Sequence, residues 1–265
     1  MLTLAHHYFL NNPMLHSFQN KNIVITGAGT GYGQALSIAF LYAGANVYLL
    51  GRRFDKLQET IDLADGVQPL SSLAVPIQCD ICQEIDIKKA VDAIAKTANS
   101  VDIVIHCAGI AAHDDGLLTL ASSMRWDDML TTNVKGQWLL AKHILPYMKG
   151  NSIRMLFFTS GAAWANTYGF ALYNISKAAL NSLTHSLAKE CEVLYPTQIV
   201  SINGINPGEA KTEMNQGSDI SAFEICPMVF KILSTQKNIP NGCFFHRDGS
   251  SLRFCDTREF LQELE

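Results

Sequence analysis

The sequence predicts an α/β chain folded as a doubly wound parallel sheet of about seven strands, with helices on both faces. Three observations predict it. Near-continuous apolar runs alternate with helical patterns from Asn22 onward, and strands apolar along their whole length belong to parallel sheets buried on both sides. A glycine-rich turn stands between the first apolar run and the first helical pattern. The 265 residues, 48% of them hydrophobic, suffice for one large domain with a substantial core.

The elements follow in order. "NIVITG" is a short strand closed by glycine, and "GQALSIAFLYAG" has helical spacing that stops at Gly44. "ANVYLLG" is the second strand, "LAVPIQCD" the third, "VDIVIHCAG" the fourth, "SIRMLFFTS" the fifth, "TQIVSINGINPG" the sixth and "GCFFHRDG" the seventh. Helical patterns fill the gaps, notably "IDIKKAVDAIAKTA", "WDDMLTTNVKGQWLLAKHILPYM" and "YNISKAALNSLTHSLAKECEVL". No repeat, low-complexity segment or linker interrupts them, so residues 21–265 read as a single domain. Residues 1–20 read as an N-terminal leader into the first strand. They hold no Lys or Arg, whereas a secretory signal carries a basic start. His6 and His7 within them read as surface residues.

A net charge of −4 makes no electrostatic case for nucleic acid or an anionic membrane. No stretch approaches the roughly 20 apolar residues of a membrane span. The seven cysteines, at 79, 82, 107, 191, 226, 243 and 255, have no framework spacing. An odd, scattered set reads as free thiols in a reducing compartment, so a cytoplasmic protein is expected. Cys79 and Cys82 form a C-x-x-C without a second pair, which reads as two partly buried thiols; no metal site is expected.

In sheets of this kind ligands bind beyond the carboxyl ends of the strands, near the switch in strand order. The unusual clusters of this sequence all follow such ends. "TGAGTGYG" joins the first strand to the first helix. Glycine at Gly27, Gly31 and Gly33 lets the backbone turn tightly and approach a pyrophosphate, whose charge meets the helix N-terminus. Thr30 and Tyr32 lie between these glycines and join the candidate contacts. The spacing is G-x-x-x-G-x-G rather than G-x-G-x-x-G. A plain turn can also be glycine-rich; the place between strand and helix favours nucleotide binding.

The second strand ends "LLGRRFDKL". NAD-preferring folds carry an acid there for the ribose hydroxyls, and NADP-accepting folds replace it with room and a basic group. Gly51 takes the acid's place, followed by Arg52 and Arg53. Guanidinium grips phosphate through charge-assisted bonds, so NADP(H) is expected as the preferred cofactor, with NAD(H) possible. Arg52 is the expected first contact and Arg53 the second. Asp80 and Ile81 flank the adenine, or Asp80 caps the next helix.

Tyr173 and Lys177 stand four apart in a helical pattern and so share one face. Such pairs are common on helices. Ser160, at the end of the fifth strand and thirteen residues before Tyr173, sharpens the reading. A strand end and the next helix meet at the same rim, where serine and tyrosine can converge on one substrate oxygen.

Together these pieces resemble the short-chain dehydrogenase/reductase family, in its compact single-domain branch. The resemblance rests on "TGAGTGYG", "HCAG", "NVKG" with Asn133, Ser160, "YNISK" and "NPGEAKT", spread in family order from Thr26 to Thr212. It implies a Rossmann-type fold, a nicotinamide cofactor and an Asn-Ser-Tyr-Lys tetrad at Asn133, Ser160, Tyr173 and Lys177. It also implies cofactor contacts at Ala108 and Gly109, and at Pro207, Gly208 and Thr212. Asn133 would position a water linking Lys177 to solvent, or mend a helix irregularity beside Gly136. Tyrosine's usual pKa is about 10, and lowering it to about 7 takes roughly 4 kcal/mol. An exposed i,i+4 pair supplies only about 0.2–0.5 kcal/mol. Lys177 is therefore expected in a partly desolvated site, helped by the positive nicotinamide ring. One departure is that His106 and Cys107 stand where the family commonly has two asparagines, the second of which ties strands together. His106 reads as a packed strand residue.

The substrate is a small molecule read by loops that the family does not fix. Candidate contacts are His113, Ala162, Trp164, Tyr168, Phe170 and Met214, the last within a short lid-like stretch, 213–226. An equal reading has the three aromatics pack together. The resemblance implies a homo-dimer or homo-tetramer through the helices at 117–148 and 173–194, unless their apolar stripes are spent on the sheet. Other readings are a sugar-nucleotide epimerase or dehydratase, for which 265 residues leave little room, and a non-catalytic NADP-binding sensor, which needs no intact tetrad.

Overall fold

The structure is a computed structural model that describes residues 13–66, 69–111, 116–166 and 168–250. The seven expected strands form in order: β1 Asn22–Thr26, β2 Asn46–Gly51, β3 Ala74–Gln78, β4 Ile103–His106, β5 Ser152–Phe158, β6 Ile199–Asn206 and β7 Phe244–His246. They build one sheet in the spatial order β3-β2-β1-β4-β5-β6-β7. Every pair is parallel. This is a Rossmann-type sheet, and its order reverses between β1 and β4, where the crevice for a ligand opens. In register, Thr26 of β1 meets Leu50 of β2 and His106 of β4. The loops after these three strands therefore leave from one rim.

Alternation along the strands makes both faces apolar. Ile23, Ile25, Val47, Leu49, Ile103 and Ile105 pack on one face with Leu36, Phe40 and Phe230. Val24, Tyr48, Leu50 and Val104 pack on the other with Ile87, Leu140 and Ile144. The first face is covered by α1 Gly31–Tyr42, α2 Phe54–Asp65 and, near the end of the described chain, Cys226–Ser234. The second is covered by α3 Glu84–Thr97 and by later helices of the chain. Helix α1 ends as its glycine signal foretells. Gly44, at φ +75°, donates to Leu41 O at 3.0 Å, and Ala45 N donates to Phe40 O at 3.0 Å. These two bonds satisfy the last carbonyls of the helix.

Two elements differ from the sequence reading. The long pattern from Trp126 to Met148 is not one helix. It divides into α4 Ser123–Leu130, a π turn Thr131–Lys135, α5 Gly136–Ile144 and a 3-10 turn Leu145–Tyr147. The π turn coincides with Asn133, whose amide bonds the backbone of Ile110 outside the helix. Pro146, which has no N–H to give, lies in the 3-10 turn. The second difference lies in the segment read as a leader. Pro13–Phe18 is a 3-10 helix, and Phe18 is fully buried, its ring 5.0 Å from Phe40 and 5.2 Å from Phe230. The chain thus contributes to the core before β1 begins. The helix that follows β5 comes after a short α6, Ala162–Ala165; it is α7, Ala171–Leu194, and Cys226–Ser234 is α8. Among the described residues no helix is long and apolar enough to cross a membrane.

Candidate active site

The loop after β1 is shaped by its glycines. Gly27 and Gly31 take φ of +65° and +57°, a region L side chains rarely enter. At Gly33 an added Cβ would stand 2.2 Å from Gly27 O, so only a bare Cα lets α1 start this close to the turn. Gly27 itself lies against Ala108, where a Cβ would come within 3.0 Å of the Cα. Thr30 is the N-cap of α1 and does not spend its side chain on the cap. The N-terminus of α1 lines a cavity of about 440 Å³. Gly27, Thr30, Gly31, Tyr32 and Gly33 line it, together with Arg52, Arg53, Asp80, Ile81, Ala108, Gly109, Thr212 and Met214. A cradle that a Cβ would fill, at a helix N-terminus, fits the pyrophosphate of a dinucleotide.

The cavity wall also includes residues that the sequence reading passed over. Gly29 is one: a Cβ there would meet Lys56 at 2.8 Å. Its signal was present, as the unused glycine of "TGAGTG". Lys56 and Glu213 are others. The basic groups at the end of β2 are not equivalent. Arg53 holds Glu213 in a fork, at 2.6 and 3.3 Å. Lys56 is paired with Glu59 at 2.6 Å. Among the described residues the Arg52 guanidinium makes no hydrogen bond or ion pair, while its carbonyl accepts from Gln78 Nε2 at 3.0 Å. Asp80 does not cap a helix. Its Oδ1 accepts from Cys82 N at 3.0 Å, shaping the turn before α3, whose N-cap is Gln83. Burial pushes the Cys79 thiol up to about 12 and raises Cys82, so both are neutral thiols near pH 7.

Tyr173 and Lys177 lie in the first two turns of α7, and Ser160 follows the end of β5. Lys177 is 6% exposed, and its Nζ donates to Phe158 O at 2.7 Å and stands 5.6 Å from the centre of the Tyr173 ring. Burial lowers its pKa to about 8, weakly opposed by Cys107. Ser160 is half-buried and hydrogen-bonded to Tyr173. Gly109 closes the group: a Cβ there would stand 3.2 Å from Asn133 Oδ1 and 3.7 Å from Lys177 Nζ. The structure thus brings Asn133, Ser160, Tyr173 and Lys177 to the Ala108–Gly109 side of the cavity.

Two details of the group follow from its bonds. Burial raises Tyr173 above its usual value, and the Ser160 bond pulls it only part of the way back. The Lys177 ammonium points its short bond at Phe158 O, not at the phenol, so the chain's own groups leave Tyr173 protonated. Asn133 also has little to spare. Its Nδ2 donates to Ile110 O and its Oδ1 accepts from Ile110 N, both at 2.8 Å, and Nδ2 lies 3.0 Å from Ser176 Oγ. The amide braces the strip Ala108–Ile110 and accompanies the helix irregularity foreseen beside Gly136.

His106 is packed within the strand, as its sequence context suggested. It stacks on Phe157 at 4.1 Å and bonds Gln137 at 2.9 Å, and burial lowers its pKa to about 4 against the Gln137 bond. The strand tie that Cys107 cannot make is made by others. Gln137 Nε2 donates to Ala108 O, and Ala108 N donates to Thr26 Oγ1 at 3.1 Å. Gln137 carried no motif signal. After β6, Pro207 is buried and Gly208 turns at φ +67°. Tyr32 donates to Gly208 O at 2.9 Å, and Thr212 packs on Gly31, where a Cβ would come within 3.1 Å of its methyl. Burial pushes the Tyr32 phenol up to about 12, which keeps it a donor.

The substrate candidates separate. Met214 lines the cavity. Ala162 donates its N–H to Ser160 Oγ at 3.2 Å. Phe170 stands 6.3 Å from the Tyr173 ring. Trp164 packs edge-on against Phe244 at 5.6 Å, and Tyr168 is 86% exposed, so the three aromatics form no common wall. His113 lies outside the described residues. The stretch 213–226 folds back, with Lys211 N donating to Ile220 O at 2.8 Å, and ends in a 3-10 turn, Ala222–Ile225, that leads into α8.

Comparison with known proteins agrees with this geometry. The short chain dehydrogenase family model matches residues 21–221. An uncharacterized oxidoreductase of Staphylococcus epidermidis is 30% identical over 202 residues, 76% of this chain and 83% of that one. The human dehydrogenase/reductase SDR family member 2, mitochondrial, is 30% identical over 198 residues, 74% of this chain and 68% of that one. A solved Shigella flexneri structure, described as a short chain dehydrogenase complexed with NADP, is 22% identical with a TM-score of 0.79, covering 88% of this chain and 99% of that one. At that identity the likeness speaks for the fold.

Proposed function

Because the chain belongs to the short-chain dehydrogenase family, we propose that this oxidoreductase prefers NADP(H) and interconverts a carbonyl and a secondary alcohol, with Tyr173 as general acid/base. One observation carries the reading: Ser160 bonded to Tyr173, with buried Lys177 beside the phenol, next to a glycine cradle. The proposal includes a small-molecule substrate, a homo-dimeric or homo-tetrameric assembly and a cytoplasmic setting.

The glycine loop and the α1 N-terminus would hold the pyrophosphate, Arg52 the 2′-phosphate, and Lys177 the nicotinamide ribose. A bound nicotinamide cofactor would supply the hydride for the carbonyl carbon in reduction and accept it from the alcohol carbon in oxidation. In reduction, Ser160 Oγ donates a hydrogen bond to the substrate oxygen and polarises it. Tyr173 Oη gives that oxygen its proton, and in oxidation the phenolate takes one back. Burial keeps the phenol protonated, which suits the acid role. The base role needs added positive charge, which Lys177 shares with the cofactor's oxidised ring. Asn133 fixes the Ala108–Ile110 strip of the cavity wall, and a water beside it would return protons to Lys177.

The cofactor preference is tested by titrating wild type and Arg52→Ala with NADPH and NADH. A charge-assisted bond to phosphate is worth roughly 1.5–3 kcal/mol. Arg52→Ala is therefore expected to weaken NADPH by about ten- to a hundredfold and NADH by less than about twofold. Equal weakening of both, or tighter NADH binding by wild type, would sink the preference.

A further inference from the structure

Glu213 lines the cavity and belongs to the segment that follows β6. Three contacts join that segment to the cofactor side: Tyr32 to Gly208, Thr212 over Gly31, and the Arg53–Glu213 fork. The first two involve a neutral bond and a packing contact. The third puts a carboxylate on one of the two arginines at the ribose end, 160 residues apart in sequence. Both side chains are about half exposed, 53% and 50%. Exposed ion pairs of this kind hold by less than about tenfold, so a stronger anion can displace one partner.

We propose that Glu213 is a specificity-determining residue, which competes with the 2′-phosphate of NADP(H) for Arg53 and so tempers the preference for that cofactor. The inference rests on the NADP(H) reading above. Arg52 is the phosphate contact available at once, and Arg53 becomes one only when Glu213 lets go. NADH, with a free 2′-hydroxyl, has no anion to compete for Arg53 and leaves the fork in place. Exchange of Glu213 for phosphate on Arg53 would thus release the 208–215 segment from β2 selectively in the NADP(H) complex.

The test is a fluorescence titration of the full-length protein with NADPH and with NADH, at low and moderate salt, for wild type, Glu213→Gln, Arg53→Ala and the double variant. Glu213→Gln is expected to tighten NADPH by about three- to tenfold and to change NADH by less than about twofold. The gain should vanish in the Arg53→Ala background and shrink as salt rises. Equal weakening of both cofactors by Glu213→Gln would overturn the proposal, making the fork a plain strap over any dinucleotide. Selective weakening of NADH would also overturn it, making Glu213 a hydroxyl acceptor. No change for either cofactor overturns it as well. The Arg52→Ala titration described above separates the two levels: if Arg52→Ala weakens NADPH selectively while Glu213→Gln does nothing, Glu213 alone is excluded. If Arg52→Ala has no selective effect, the NADP(H) reading falls first.

Discussion

Tyr173→Phe is expected to bind NADPH within about twofold of wild type and to lose turnover by about a hundred- to ten-thousandfold, the contribution of a positioned acid or base. The substitution removes one hydroxyl from a ring held between Phe170 and Lys177. The ring's contacts survive, so the loss should fall on kcat and not on folding. The hydroxyl is the group bonded to Ser160, so removing it also leaves the serine without its partner. Unchanged turnover with a carbonyl and alcohol panel would remove Tyr173 from the mechanism. Equal loss of cofactor binding would turn it into a binding residue.

Lys177→Met is expected to lose turnover to a similar degree, and to reveal what burying the ammonium costs. Burial holds Lys177 at about 8, against a usual 10.5. Below about pH 8 both folded and unfolded chains carry the proton, and the cost of burial is present in full. Between about 8 and 10.5 the unfolded chain binds more protons than the folded one, so wild-type stability rises with pH through this group. The rise amounts to at most about 3 kcal/mol. Methionine cannot titrate, so the stability of wild type relative to Lys177→Met should climb over that window in urea denaturation. The starting difference is smaller than the cost of burial, because Phe158 O loses its donor in the variant. A relative stability that stays flat from neutral pH to about 10 would contradict a depressed, buried ammonium.

The parts of the fold written as local pattern were readable in advance. Each of the seven strands lies within an apolar run, because the central strands are buried on both faces and the edge strands β3 and β7 are partly buried. The Gly44 stop and the glycine loop were legible for the same reason: their backbone angles exclude most other residues. What escaped was tertiary. The π turn at 131–135 follows no periodicity; it goes with the bonds Asn133 makes to Ile110, 23 residues away. Phe18 looked like leader because its partners, Phe40 and Phe230, are remote in sequence. Gln137 has no motif, yet it holds Ala108 O beside the Thr26 bond that ties β1 to the end of β4. Trp164 was legible as an aromatic near the site but not as a partner of Phe244 on β7. Glu213 was within a stretch picked out as lid-like, while its pairing with Arg53 depends on how β6 returns over the glycine loop.

The central claim is that Ser160 and Tyr173 act together on one substrate oxygen. It is tested most directly by a double-mutant cycle on turnover, comparing Ser160→Ala, Tyr173→Phe and the pair under saturating NADPH. Groups that work as a unit are strongly non-additive. The double variant is therefore expected to be no slower than the worse single variant, within about threefold. Losses that multiply would mean that the two hydroxyls act independently, and would contradict the account.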